Sequence, residues 1–283
     1  MGEPFQLVCV IGAARSGTKM LRNFIATHPD IGCVPYDINY IWRLGNEHLV
    51  HDELSPDLLT PEVKRKIIKS LSKYNRPAPF LIEKTVSNSL RVAYVNAVFP
   101  NAKFVHLIRD GRDVVESVYR QWLAPPDWRY IWEKARTFPL TDAFGYALSY
   151  AVTALKKLVV QDKGKVGSWG PRYQGIDTDI INRSLLEVCA IQWARCVKRS
   201  LTDLRDLPAG RVFTIRYEDF VQAPLVYLKE MADFIDVTST FYAEVDLKNV
   251  STQNIGKGLR NLSSEQLDLV LPYLEETLTL LGY

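Results

Sequence analysis

The sequence predicts an α/β fold of three layers, α/β/α, with a central parallel sheet of about four to five strands and a mostly helical insertion. Three observations carry this. Short apolar, β-branched runs alternate with helix-period patterns, each run gives way to a loop containing glycine or a charged residue, and the stretch from Pro125 to about Leu207 reads as mostly helical.

The first strand is Gln6 to Ile11, ending at Gly12. A helix follows from about Thr18, with Met20, Leu21, Phe24 and Ile25 on its apolar side, and His28-Pro29-Asp30 stops it. A second strand, Phe80 to Ile82, leads into Glu83-Lys84, with a helix from about Ser89 to Phe99. Pro100-Asn101 turns into a third strand, Lys103 to Ile108, which ends at Arg109-Asp110-Gly111 before a helix from about Arg112 to Trp122. A loop at 164–179 interrupts the insertion, and a fourth strand, Val212 to Ile215, ends at Arg216-Tyr217. Helices at about Pro224 to Phe234 and Ser264 to Leu281 complete the pattern, the latter with a capping-box start at Ser263 or Ser264. Ligands of parallel sheets gather outside the carboxyl ends of the strands. Arg15, Lys84, Arg109 and Tyr217 all fall just past such ends.

The 283 residues carry 35 Lys+Arg against 32 Asp+Glu, a formal charge of +3, with 47% hydrophobic residues. Such a balance is too weak to argue for a general nucleic-acid or membrane surface, so any affinity for anions is local. The length allows two domains. Without repeats or linkers, the chain is expected to be one domain over 1–283 with a helical insertion at about 125–207. No window suggests a transmembrane helix, and the apolar run Phe5 to Ala14 reads as a strand and not as a signal peptide. Cys9, Cys33, Cys189 and Cys196 lack metal-ligand spacing and suggest buried, reduced thiols in a cytoplasmic protein, with no metal site.

The segment GAARSGTK, Gly12 to Lys19, lies between a strand and a helix, which aims backbone N–H groups and a helix N-terminus at an anion. Its Gly12 and Gly17 have the spacing of a Walker A loop, so the fold is P-loop-like, but Thr18 precedes Lys19 where that motif has lysine then Ser/Thr. The inversion places the cation at Arg15 and disfavours a magnesium-dependent NTPase. It suits an anionic ester whose leaving group is neutralised by Arg15 and the backbone amides.

Arg15-Ser16-Gly17-Thr18 resembles the [KR]SGT loop with which sulfotransferases grip the 5'-phosphosulfate of 3'-phosphoadenosine 5'-phosphosulfate (PAPS), and FVHLIRDGRDVVES resembles their 3'-phosphate element. The resemblance implies cofactor contacts at Arg15, Ser16, Gly17, Thr18, Lys19, Arg109 and Ser117. RYEDF, Arg216 to Phe220, is similar to a segment whose tyrosine lies beside the adenine, here Tyr217; NIGKGLRNLS resembles the cofactor-covering loop and implies Lys257 and Arg260, with Gly258 at the usual aromatic position. EKT, Glu83 to Thr85, is similar to a segment of carbohydrate and tyrosylprotein sulfotransferases in which a lysine, here Lys84, stabilises the transferring sulfuryl group. ARSGTKMLRNFIATHP is closest to the tyrosylprotein and bacterial branches, where an acidic residue after the His-Pro is the base; the nearest carboxylate here is Asp37.

The resemblance thus implies sulfuryl transfer from PAPS, without metal, to a hydroxyl of a carbohydrate or small metabolite. Arg15, Lys84 and Asp37 are its catalytic candidates. Glu83, His48, His51 and His106 compete with Asp37 as base. Tyr36, Tyr40 and Trp42, with Trp122, Trp128, Tyr130 and Trp132, either line an acceptor cleft or pack the core. A P-loop kinase is opposed by the displaced lysine, and a non-catalytic adenosine 3',5'-bisphosphate-binding module by the full set of Arg15, Lys84, Arg109 and Ser117. The oligomeric state has no signature in the sequence.

Overall fold

The computed structural model describes residues 4–124 and 169–283. Five strands form one parallel sheet in the order β2-β3-β1-β4-β5: β1 Gln6–Ile11, β2 Ile31–Cys33, β3 Phe80–Glu83, β4 Lys103–Ile108 and β5 Val212–Arg216. The four predicted strands are present, and Ile31–Cys33 is an additional edge strand of three residues. Its existence depends on β3, against which Ile31 pairs with Phe80. A run that short has too few side chains to show a period of two.

Both faces of the sheet are covered, as parallel strands require. On β1, Leu7, Cys9 and Ile11 enter one apolar core with Leu81, Phe104, Val95 and Trp42, while Val8 and Val10 enter another with Ile82, Leu107, Leu21 and Met231. The first core is roofed by α3 (Pro61–Ser72) and α4 (Val92–Val98), the second by α1 (Thr18–Ile25) and α9 (Pro224–Ile235). Helix α3 is not among the predicted elements, although Thr60 caps it through the amide of Val63, Pro61 opens it, and Val63, Ile67 and Leu71 recur every four residues. The predicted helix from Ser89 is divided: a 3₁₀ turn occupies Val86–Leu90, and Arg91 breaks the path before α4. A third core joins α5 (Gly111–Leu123), α7 (Leu185–Arg205) and α11 (Ser264–Leu281), with Trp193 and Trp122 buried in it. Within the predicted insertion, α6 (Ile176–Asn182) and α7 are helical, and residues 125–168, including Trp128, Tyr130 and Trp132, lie outside the described residues. Ser263 caps α11 in a full capping box with Gln266.

Segment 169–175 is fixed by polar contacts. Gln192 on α7 donates to the carbonyls of Trp169 and Pro171, both at 2.9 Å, and Asp52 exchanges backbone and side-chain hydrogen bonds with Arg172. Among the aromatic candidates, Tyr36 and Trp42 are core residues, with Trp42 edge-on to Phe99 at 6.2 Å. Cys9, Cys189 and Cys196 are buried free thiols, and Cys33 is a half-buried one.

His106 lies inside β4, buried, with Nε2 3.1 Å from the Ser200 hydroxyl on α7. Burial depresses its pKa to about 4, so the native ring is neutral and packs the core. Unfolding releases the ring to its ordinary pKa of about 6.5. The unfolded chain therefore binds the extra proton, and stability falls as pH drops from about 6.5 towards 4, by about 3 kcal/mol from this group. Chemical denaturation of the native chain and His106→Gln at pH 7 and pH 5 checks this. The variant is expected to lose less stability between the two pH values, and an equal loss would refute the assignment.

Candidate active site

The strand order places four loops along one edge. β1 lies between β3 and β4 in register, with Cys9 opposite Glu83 and Ile11 opposite His106, and Ile108 lies opposite Arg216 on β5. The segments just past these strands, carrying Gly12–Thr18, Lys84–Thr85, Arg109–Gly111 and Tyr217, are brought to one edge of the sheet. It is the crevice position that a doubly wound sheet offers to anionic ligands.

The Gly12–Thr18 loop is shaped by close backbone approach. A Cβ on Gly12 would sit 2.7 Å from the Leu107 carbonyl oxygen, and one on Gly17 2.7 Å from the Tyr217 ring. Gly17 has φ +97° and opens α1. Arg15 also has a left-handed backbone, φ +67°, a conformation costing a non-glycine residue about 1–2 kcal/mol. The only other such non-glycine among the described residues, Asp236, ends α9, where a left-handed residue is a common helix terminator. At Arg15 the conformation is held by tertiary bonds: its carbonyl accepts from Arg109 Nη1 at 3.0 Å, and its Nε donates to Ser117 Oγ at 3.0 Å. The two predicted phosphate elements are thereby joined directly.

Desolvation, followed by repulsion from Arg120 and Arg109, lowers the pKa of Arg15. Like charges assembled beside a helix N-terminus suit an anion, which would relieve their repulsion. Arg109 is buried. Besides Arg15, it donates from Nη2 to the Asn254 carbonyl at 2.7 Å, lies 3.7 Å from Asp113, and stacks 4.2 Å over the Tyr217 ring; its buried Nε has no hydrogen-bond partner. Tyr217 is itself buried, with that guanidinium over its ring and Gly17 close to the ring's edge.

The segment from Thr252 to Asn261 covers Arg109. It is latched by Asp113, whose carboxylate accepts the amides of Gly256 at 2.8 Å and Gly258 at 2.7 Å. A Cβ on Gly258 would lie 2.3 Å from the Arg112 carbonyl carbon, which explains glycine where an aromatic was expected: the segment lies directly on α5. Lys257 donates to the Asn254 side chain, and Arg260 Nη2 to the Gln253 carbonyl at 2.9 Å. Lys19 is exposed on α1. Asp113 carries no signal in the sequence beyond its place in RDGRD, and its role follows only from the approach of Gly256 and Gly258.

Lys84, buried, forms an ion pair with Asp37, which is one-third exposed. Glu83 points the other way. It is fully buried and accepts from the Thr85 hydroxyl, from Asn88 Nδ2 at 2.9 Å and from the Cys9 thiol at 3.5 Å. Burial raises its pKa, and the Thr85 hydrogen bond opposes the rise. His48 is exposed on its loop, and the His51 carbonyl accepts from Arg43 at 3.3 Å. Among the described residues, no group of three or more His, Cys, Asp or Glu side chains could hold a metal ion.

The sulfotransferase family model matches residues 8–144, which contain the Gly12–Thr18 loop, Lys84 and Arg109. This segment belongs to the sulfotransferase family. Protein-tyrosine sulfotransferase 1 of Homo sapiens is 31% identical over 123 residues, covering 40% of this chain and 33% of that protein. The protein-tyrosine sulfotransferase of Drosophila melanogaster is also 31% identical over 123 residues, covering 40% of this chain and 25% of that one. The chain thus spans a third or less of the length of these two curated relatives. A crystal structure of a sulfotransferase from Mycobacterium avium superposes with a TM-score of 0.56 at 12% identity, covering 98% of this chain and 77% of that one. The sulfotransferase domain from the curacin biosynthetic pathway gives 0.50 at 17% identity, with 99% and 98% covered. Both likenesses are of fold. The sulfotransferase resemblance and the three-layer parallel fold are borne out. Among the described residues, no helix is long and apolar enough to cross a membrane.

Proposed function

We propose that the chain is a PAPS-dependent sulfotransferase that moves a sulfuryl group to an acceptor hydroxyl of a carbohydrate or small metabolite, as a single domain over 1–283 acting in the cytoplasm. The observation that carries this reading is the tie between the two phosphate elements, in which Arg109 binds the Arg15 carbonyl and Arg15 binds Ser117. The family match over residues 8–144 supports sulfuryl transfer, and four free cysteines suit a reducing compartment. A second reading of the acceptor, a tyrosine phenol in a protein, is favoured by similarity to protein-tyrosine sulfotransferases.

Ser16, Gly17 and Thr18 cradle the 5'-phosphosulfate with the N-terminus of α1, and Arg15 neutralises it, while Lys19 reinforces the field from the next turn. Arg109 and Ser117 hold the 3'-phosphate, the buried Nε of Arg109 being its uncommitted donor. Tyr217 backs the Arg109 guanidinium instead of carrying a group of its own to the adenine, and Lys257 and Arg260 close the site from the 252–261 segment. The reaction is an in-line displacement, with catalysis by positioning and electrostatics. Asp37 takes the acceptor proton. Lys84, released from Asp37 as that carboxylate is protonated, places its ammonium on the oxygen that leaves with the 5'-phosphate. Glu83 cannot serve as base, because it is fully buried and both its oxygens accept hydrogen bonds from the protein.

Thermal unfolding with added nucleotide tests the reading. Adenosine 3',5'-bisphosphate without Mg²⁺ is expected to stabilise the native chain by about 2.7 kcal/mol at a hundred times its Kd. Stabilisation by Mg-ATP and none by the bisphosphate would sink the proposal in favour of a kinase. Mass spectrometry after incubation with PAPS and panels of sugars, small phenols and tyrosine peptides separates the acceptor classes.

A further inference from the structure

Asp37 lies on a short connection between Cys33, the end of β2, and Asn39, the start of α2 (Asn39–Trp42). Its own backbone lies outside both elements, and a carboxylate on such a connection has many conformations to lose before it can face an acceptor reproducibly. The structure shows how that freedom is removed. The amide of Ile38, the next residue, donates to Thr85 Oγ1 at 3.0 Å. The side-chain amide of Asn39, one residue further, is held at both ends: its oxygen accepts from Arg91 Nη2 at 2.5 Å and its nitrogen donates to Asp52 Oδ1 at 2.9 Å.

The Thr85 contact has a fixed polarity. A backbone N–H only donates, so Thr85 Oγ1 must accept from Ile38, and its single proton is free for one acceptor. That acceptor is Glu83 Oε1. The other Glu83 oxygen is engaged by Asn88, whose own oxygen accepts from Arg91 Nε at 2.8 Å, and Arg91 reaches back to Asn39. A closed circuit of polar groups, buried except at the half-buried Asn39, therefore runs from the end of β3 to both residues that follow Asp37. Burial pushes the Arg91 guanidinium down to about 10, so it remains charged near neutrality. Glu83, Thr85 and Arg91 are all buried, so breaking one link leaves its partners without water to replace it.

We propose that Thr85 is a positioning residue for sulfuryl transfer: its hydroxyl, oriented by Glu83, pins the Ile38 amide and so fixes the Asp37 carboxylate against Lys84. This rests on the reading of Asp37 as the base. Thr85 occupies the position after the lysine in EKT, and nothing local in that tripeptide distinguishes a positioning hydroxyl from a helix-opening one. The hydroxyl is the required feature, because only a group that donates and accepts from one oxygen can bridge a carboxylate and an amide.

The test compares Thr85→Val, which keeps the shape and removes the hydroxyl, with Thr85→Ser, which keeps the hydroxyl, and with Asp37→Asn, all in the full chain. Four quantities are read: hydrogen exchange of the Ile38 amide, the Kd for adenosine 3',5'-bisphosphate, and kcat and KM with radiolabelled PAPS and 2-naphthol. In Thr85→Val, Ile38 exchange is expected to rise at least about tenfold and kcat to fall about 10- to 100-fold, one to two links of about 1.4 kcal/mol each. The bisphosphate Kd and the KM for PAPS should stay within about twofold, and Thr85→Ser should behave as the native chain. Thr85→Ala gives the same comparison if the valine variant does not fold. Native Ile38 protection in the variants lacking the hydroxyl, or a serine variant as impaired as they are, overturns the proposal. If Asp37→Asn is impaired while the valine variant turns over normally, Thr85 alone is wrongly assigned; if Asp37→Asn turns over normally, the assignment of the base falls and the positioning role falls with it.

Discussion

Replacing Asp37 with asparagine is expected to lower turnover by about 10²- to 10⁴-fold, the range for loss of a general base, and to leave the affinity for adenosine 3',5'-bisphosphate within about twofold. The separation follows from placement. Asp37 contacts Lys84 and lies on the β2–α2 connection, whereas Arg109, just past β4, and Ser117, on α5, each bind Arg15 in the loop after β1. An asparagine keeps the volume and a hydrogen-bond acceptor for Lys84, so cofactor geometry is retained while the proton acceptor is lost. Calorimetry with the bisphosphate and initial rates with PAPS give the two numbers independently. Full turnover in the variant would remove Asp37 from the mechanism, and an equal loss of affinity and rate would make it a structural residue. Glu83 is not a reserve base, since reaching an acceptor would require its buried carboxylate to give up Thr85 and Asn88.

Arg109→Ala is expected to weaken the bisphosphate by about 30- to 1,000-fold, because truncating one partner of a buried, hydrogen-bonded charge pair costs about 2–4 kcal/mol. The guanidinium does several things at once. It holds the Arg15 carbonyl in its left-handed loop, holds the Asn254 carbonyl of the covering segment, and stacks on Tyr217. Arg109→Lys should recover only part of the affinity, since an ammonium lacks the planar fork needed to span those partners. Comparison with adenosine 5'-monophosphate isolates the 3'-phosphate. The loss should be at least about tenfold larger for the bisphosphate, and equal losses for the two nucleotides would mean that Arg109 supports the fold of the loops and not the phosphate.

The strands flanking the site were legible because each is a β-branched run bounded by a loop signal. Gln6–Ile11 and Lys103–Ile108 have the predicted bounds, and β3 and β5 each extend one residue further. The phosphate loop was legible for a related reason: a glycine where the backbone closely approaches another strand leaves a mark in the sequence, as Gly12 and Gly17 do. The latch of Asp113 on Gly256 and Gly258 joins residues more than 140 positions apart, and the circuit through Asn39, Asp52, Glu83, Thr85, Asn88 and Arg91 draws on three separate loops. Neither has a spacing rule, because the partners meet only after the sheet has formed. Tyr217 shows the same limit. Its motif placed it just past a strand end, while its contacts with Gly17 and Arg109 follow only from tertiary packing.

By itself the sequence determined the alternation of strand and helix, the cation within the Gly12–Thr18 loop, and the order of the motifs along the chain. Those are local properties, set by side-chain period, by the few residues that tolerate a tight turn, and by charge. The tertiary structure decided which carboxylate faces Lys84. Asp37 and Glu83 are both acidic residues near strand ends, and the burial of one and the partial exposure of the other is what distinguishes them as candidates for the proposed base. That difference arises because neighbours distant in the chain exclude water from Glu83 and supply its hydrogen bonds, while Asp37 keeps one side open to solvent.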